Sequence, residues 1–134
     1  MYTYNTKTRL RDTDASGYLY FCSIIDLAHE AYESYLRTNN LDIGELIKSG
    51  KYLIPLVRVE SDFLKIIYAG DEISISLICD KIGSSSFTIS YSFENSKREI
   101  LARIKTVHVT IDKESKSKIN IPYQLKGALQ QIKF

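Results

Sequence analysis

The chain changes its hydrophobic period once, and that change limits its possible folds more than any other feature. From Cys22 to Thr38 there is no Pro or Gly, and apolar residues recur at helical spacing. At about 100° per residue, Ile24, Ile25, Leu27, Ala28, Ala31, Tyr32, Tyr35 and Leu36 fall on one half of the wheel. Asp26, Glu30, Glu33 and Arg37 fall on the other. From Leu53 onward the period becomes two. Val57, Val59, Ser61 and Phe63 share a face of one extended segment, with Pro55 at its start or on an edge. Ile73, Ile75, Leu77 and Cys79 mark a second strand, Phe87, Ile89, Tyr91 and Phe93 a third, and Ile100 to Ile111 a fourth. Short turns at Tyr68–Asp71, Gly83–Ser85 and Asn95–Arg98 separate them.

Ahead of the helix, Tyr2, Tyr4, Thr6, Thr8 and Leu10 alternate with polar neighbours and read as a first strand. Asn39-Asn40 closes the helix, because Asn tolerates the left-handed cap conformation. Leu41 to Gly50 reads as a short helix or turn pair, Asp112 to Lys118 as a charged loop, and Pro122 to Lys133 as a C-terminal helix weakened by Gly127. The order is strand, long helix, four strands: an α+β fold in which an antiparallel sheet of about five strands wraps around one long helix. No repeat or linker interrupts residues 1–134, which are expected to form a single domain. Such a sheet has edges and an outer face that a second copy would cover, so a dimer at least is expected.

Composition narrows the function classes. Eighteen basic against sixteen acidic side chains leave a net charge of +2, without the basic stripe of a dedicated nucleic-acid binder. No apolar run is long enough to span a bilayer, and Met1-Tyr2-Thr3-Tyr4 does not open a secretion signal. Cys22 and Cys79 fit no metal-binding spacing, so no metal is expected. Both read as reduced, buried thiols of a cytoplasmic protein.

The chemistry concentrates where the first loop enters the long helix, at Arg11-Asp12-Thr13-Asp14-Ala15-Ser16-Gly17-Tyr18-Leu19-Tyr20-Phe21. Gly17 lets backbone approach a ligand closely. The residues after it open a helix, whose free N–H groups and positive dipole end favour negative charge. Asp12 fits a structural role, holding loop amides or pairing with Arg11 or another cation. As a bare turn and helix cap, Asp12-x-Asp14 with Ser16-Gly17 would need no further explanation.

Asp12 to Phe21 resembles the D-x-D-x-x-G-x-x-[YW]-[YFH] signature of the 4-hydroxybenzoyl-CoA thioesterase family, whose members have the hotdog fold. The resemblance runs from about Tyr4 to Ile111. Within that family, His29-Glu30-Ala31-Tyr32-Glu33-Ser34-Tyr35-Leu36, Ile54-Pro55-Leu56-Val57, Leu101-Ala102-Arg103 and Val107-His108-Val109 resemble the 1,4-dihydroxy-2-naphthoyl-CoA hydrolases of quinone biosynthesis. The resemblance implies thioester hydrolysis of an acyl-CoA, with coenzyme A as part of the substrate and no separate cofactor. It also implies that Asp14 attacks the thioester carbonyl or activates a water, and that the backbone N–H of Phe21 polarises the carbonyl oxygen. A homodimer assembling into a homotetramer follows from the same resemblance.

Substrate-binding candidates are Tyr20, His29, Val57, Ser84, Ser85, Ser86 and Arg103, with His29 placed to bond a hydroxyl of the aryl ring and the serines to hold coenzyme A. Gly83-Ser84-Ser85 stands where some relatives carry a basic run. Lys81, Arg103 and Lys105 are nearby cations, each of which also reads as plain solvated surface. His108 reads as structural, and Cys22 has no base spaced to make it a nucleophile. Three other readings stay open: a broad-specificity acyl-CoA thioesterase, a non-catalytic acyl-CoA binding module, and a hotdog hydratase. The hydratase would need His at the position of Leu19.

Overall fold

A computed structural model describes residues 1–134. Five antiparallel strands form one sheet, β1 (Tyr2–Lys7), β3 (Leu56–Phe63), β4 (Glu72–Ile82), β5 (Ser86–Glu94) and β6 (Ile100–Val109), in the order β1-β4-β5-β6-β3. The helix α1 (Phe21–Thr38) lies against one face of it, with a 3-10 turn at Leu10–Asp12 before it and α2 (Ile43–Ser49) after it. The α+β architecture expected from the change of period is therefore present.

The helix forms where its periodicity places it. Ile24, Leu27, Ala28, Ala31, Tyr32, Tyr35 and Leu36 are buried, whereas Ile25, at the margin of the stripe, is half-buried. The alternating residues of the sheet meet them: Ile73, Ile75, Leu77 and Cys79 of β4, Phe87, Ile89, Tyr91 and Phe93 of β5, and Ala102 and Ile104 of β6. Each fully buried side chain of this size contributes roughly 1.5–3 kcal/mol. At the β1 edge, tyrosine hydroxyls tie strand to helix: Tyr2 pairs with Ser34 at 2.8 Å and Tyr4 donates to Glu30 at 3.0 Å. The helix ends at Asn39, and Asn40 takes the left-handed conformation at φ 60°.

Three departures from the sequence reading have local causes. The charged loop after β6 begins with a short strand, β7 (Ile111–Asp112), which pairs with β2 (Tyr52–Leu53) in a separate two-stranded sheet. Two-residue strands carry no periodicity to read. The C-terminal helix α3 is shorter than expected, Tyr123–Gln131. The chain then returns to β4, where the Cys79 amide donates to Ile132 O at 2.8 Å and the Phe134 amide donates to Cys79 O at 3.1 Å. Cys22 is exposed rather than buried, since it lies off the buried stripe of α1, next to the exposed Phe21. Cys79 is buried as expected, and burial pushes its thiol up to about 11.

The core holds one titratable polar ladder. His108 is fully buried, with Nε2 2.9 Å from Thr106 Oγ1, and Thr106 also meets the Tyr91 hydroxyl at 3.3 Å. Its ring is stacked between Tyr32, centroids 4.6 Å apart, and Phe87, 5.0 Å apart. Burial, and then the charge of His29, lower its pKa from 6.5 to about 3. The folded chain thus keeps this imidazole neutral where the unfolded chain protonates it. That contribution is complete above 6.5 and is lost as pH falls towards 3, at up to about 1.4 kcal/mol per pH unit. Urea unfolding followed by circular dichroism should show the midpoint falling through this window. His108→Phe should flatten that slope, because it keeps the ring stack and removes the proton.

Candidate active site

The loop before α1 is a small clamp. The Asp14 amide donates to Tyr18 O and the Gly17 amide to Asp14 O, both at 3.0 Å, closing a three-residue loop of Ala15, Ser16 and Gly17. Loops of this length need a left-handed residue at their last position, and Gly17 sits at φ +84°. No atom of the chain lies within 4 Å of where a Gly17 Cβ would stand. Gly17 is therefore required here by its torsion angle, not by crowding. The base of the loop is sewn to the segment after β3: the Leu19 amide donates to Ile67 O at 2.8 Å, and Tyr18 bridges to Tyr68.

Asp12 fills the structural role expected of it. It is buried, and its Oδ2 accepts from the Arg9 amide at 2.9 Å and from Arg9 Nε at 3.4 Å, so its cationic partner is Arg9 rather than Arg11. Its carbonyl receives the Tyr20 amide at 2.9 Å, which fixes where the helix starts. Asp14 is exposed instead. One of its oxygens, Oδ1, accepts the Ser16 amide at 2.8 Å and the Ser16 hydroxyl. These two bonds, the hydroxyl's first, hold the carboxyl below its ordinary range. Oδ2 has no partner within the chain.

Tyr20 is the N-cap residue of α1 and makes no side-chain cap. Its carbonyl takes the Ser23 and Ile24 amides at 2.9 and 3.3 Å. The Phe21 and Cys22 amides are left without an acceptor in the chain. An open helix start of this kind favours an oxygen carrying negative charge.

Asp14, Ser16 and Phe21 line one open groove of about 360 Å³. Its walls are mainly apolar, from Leu19 and Ile24 on one side and Phe63, Leu64, Ile66 and Ile67 on the other, with Tyr18 and Lys65 as further polar members. Phe21 and Phe63 face each other with centroids 6.3 Å apart, and Tyr20 stacks obliquely on Phe21 at 4.6 Å. The groove combines a carboxylate, free amide donors and a surface suited to a flat apolar group. The stretch from Phe63 to Ile67 was not singled out from the sequence. Its signal is the loss of alternation: after β3 the apolar residues cease to skip.

Other sequence candidates lie elsewhere on the chain. His29 is bonded to Glu33 through Nδ1 at 3.3 Å and lines a polar hollow with Arg9, Asp12 and Asp26, apart from the Asp14 groove. Val57 is the bulged residue of β3, on the open edge of the sheet, and is exposed. The bulge sets it out of register with Val59, Ser61 and Phe63, which oppose Thr106, Ile104 and Ala102. Ser84, Ser85 and Ser86 form the turn between β4 and β5, and their carbonyls receive the Ile121, Thr110 and Gly83 amides. Arg103 lies beside Glu60 and Asp62 in a hollow with Ser76, Ser90 and Ser92.

Two glycines make a paired test of the loop. Gly17→Ala should cost about 1–2 kcal/mol in urea unfolding, since a Cβ is disfavoured at this torsion angle. Gly127→Ala, inside α3 with open space around its Cβ, should gain about 0.5–1 kcal/mol.

Residues 8–129 match the thioesterase-like superfamily. The chain is 36% identical over 124 residues to a 1,4-dihydroxy-2-naphthoyl-CoA hydrolase of Nostoc punctiforme, covering 92% of this chain and 83% of that protein. It is 33% identical to another of the same name from Rippkaea orientalis, covering 88% and 87%. Among solved structures, a 1,4-dihydroxy-2-naphthoyl-CoA thioesterase from Synechocystis superposes with a TM-score of 0.91 at 30% identity, over 97% of this chain and 96% of that one. A gentisyl-coenzyme A thioesterase, 20% identical, shares the fold with a TM-score of 0.85 over 96% and 99%. With its sheet, helix and loop signature matched along nearly their whole length, the chain belongs to the thioesterase-like superfamily.

Proposed function

We propose that this protein hydrolyses an aryl thioester of coenzyme A, with 1,4-dihydroxy-2-naphthoyl-CoA as its substrate, releasing the naphthoate and free coenzyme A. The observation that carries the reading is the shared groove, in which an ionised carboxylate and Phe21, the first residue of an uncapped helix with its amide unpaired, stand among aromatic and aliphatic walls. The substrate assignment is supported by the relatives that match most of the chain.

Thioester cleavage needs a nucleophile at the carbonyl carbon and donors for the oxygen on which charge develops. The Phe21 N–H receives that oxygen. A single donor of this kind is worth about 3 kcal/mol in the transition state. Asp14 Oδ2 attacks the carbon, or draws a proton from a water that does. On either route the C–S bond breaks and the coenzyme A sulfur leaves and takes a proton. Direct attack leaves a mixed anhydride with Asp14, which water then cleaves to the naphthoate and the restored carboxylate; on the other route the water oxygen enters the naphthoate directly. The aryl ring rests against the surface that Phe21 and Phe63 form together.

A second copy belongs to this reading. Phe63, Leu64, Ile66 and Tyr68 are each about half exposed around the groove, and β3 leaves its outer edge unpaired. Both features favour burial against another chain, in a homodimer that can assemble further into a homotetramer. Val57 sits on that edge. His29, Arg103 and the Ser84–Ser86 turn lie outside the groove of their own chain, so they join the site only where an assembly brings another copy's surface to it.

A thiol-release assay tests the reading. Turnover of 1,4-dihydroxy-2-naphthoyl-CoA should exceed that of palmitoyl-CoA, and faster fatty acyl turnover would replace the substrate assignment with a broad acyl-CoA thioesterase. Asp14→Asn should lower kcat by about 10²–10⁴-fold while binding persists. Full turnover in that variant would remove Asp14 from the chemistry. Sedimentation equilibrium should give a dimer or a multiple of one, and a monomer would contradict the assembly.

A further inference from the structure

We propose that Ser16 is a positioning residue for the reaction: its amide and hydroxyl pin Asp14 Oδ1, so that Oδ2 alone is the reacting oxygen. The inference rests on the role given to Asp14 above. It begins from an asymmetry in the loop. Two donors of a single residue converge on one carboxylate oxygen, while the other oxygen has no partner. The Ser16 hydroxyl is itself oriented, because its oxygen also accepts the Tyr18 amide at 3.4 Å. Both residues line the groove that Phe21 lines.

The arrangement solves a local conflict. An acid near the start of a helix is drawn to its first free amides, whose N–H groups a carboxylate accepts. Asp14 shares its groove with Phe21, whose amide, like that of Cys22, has no acceptor in the chain. A carboxylate bonded to them would occupy the place of the substrate oxygen. Ser16 offers the carboxylate a nearer pair of donors within its own loop, and the helix start stays open. Ser16 thus sets the direction of one group and keeps another free, without touching the reacting atoms. The depressed pKa of Asp14 follows from the same two bonds, and it keeps the carboxylate charged well into the acid range.

The other ionisable groups of this junction are Arg11, Asp12, Tyr18, Tyr20 and Cys22, and Lys65 lines the same groove. Lys65 is paired with Glu99, and Asp12 with Arg9. Ser16 bonds only the carboxylate of Asp14 among them, so a change on altering Ser16 reports on Asp14.

The test compares wild type, Ser16→Ala, Ser16→Thr and Asp14→Asn in steady-state hydrolysis of 1,4-dihydroxy-2-naphthoyl-CoA across pH. Ser16→Ala should lower kcat about tenfold with KM within about twofold, and should move the acidic limb of kcat/KM to higher pH. Ser16→Thr keeps the hydroxyl and should restore both. If Ser16→Ala keeps its kcat and its acidic limb while Asp14→Asn loses turnover, Ser16 is only a turn residue and the proposal fails alone. If Asp14→Asn keeps turnover, the role of Asp14 fails and this inference falls with it. An unfolded Ser16→Ala, read by circular dichroism, also overturns the proposal, since the loop closes through the Asp14 and Gly17 amides without the hydroxyl.

Discussion

The burial of the α1 stripe decides where the open end of the helix stands. Seven side chains from Ile24 to Leu36 are fixed against the sheet, and they leave the helix no freedom to slide or rotate. At its start Phe21 and Cys22 are exposed and their amides meet no acceptor. The chemistry proposed here uses what core packing leaves over at that end. A helix start with a serine or aspartate at its cap would have closed those amides internally. Tyr20 occupies the cap position and offers no side-chain acceptor within reach.

Against this fixed end the chain sets an acid that does not cap it. The loop from Asp14 to Gly17 is closed by backbone bonds and by a left-handed glycine, and it directs the carboxylate onto Ser16 rather than onto the helix. Charge and donors thus remain separate within one groove. The same separation runs through the whole molecule. The imidazole in the core, His108, is held neutral between two rings, while the carboxylate of the site is held charged near solvent. Hydrogen bonding governs the second group and desolvation the first.

Much of this was legible in the residues alone. The stripe of α1, the alternation of β4 and β5, and the Asn40 cap follow from local periodicity and torsion preference, and they appear at the expected positions. The structural role of Asp12 was legible as a type, although its partner is Arg9, because the 3-10 turn folds that arginine back over it. The pairing of β2 with β7 was not legible, since two-residue strands have no pattern. The burial assigned to Cys22 failed because it rested on the usual burial of reduced cysteines, whereas Cys22 lies outside the buried stripe, on the first turn of α1. The wall from Phe63 to Ile67 escaped for a related reason: an apolar residue at an open edge has the same composition as one in the core. His29 and Arg103 carry chemistry suited to a ligand, yet each is engaged on another surface of its own chain. Sequence spacing cannot place such groups relative to a groove that more than one copy completes.

The most direct test of the account is a crystal structure with a substrate analogue in which a methylene separates the aroyl carbonyl from the coenzyme A sulfur. The account places the carbonyl oxygen about 3 Å from the Phe21 amide nitrogen, with Asp14 Oδ2 facing the carbonyl carbon and the aryl ring against Phe63. An analogue bound with its carbonyl away from the start of α1, or with Asp14 turned onto the helix amides in its presence, would contradict it.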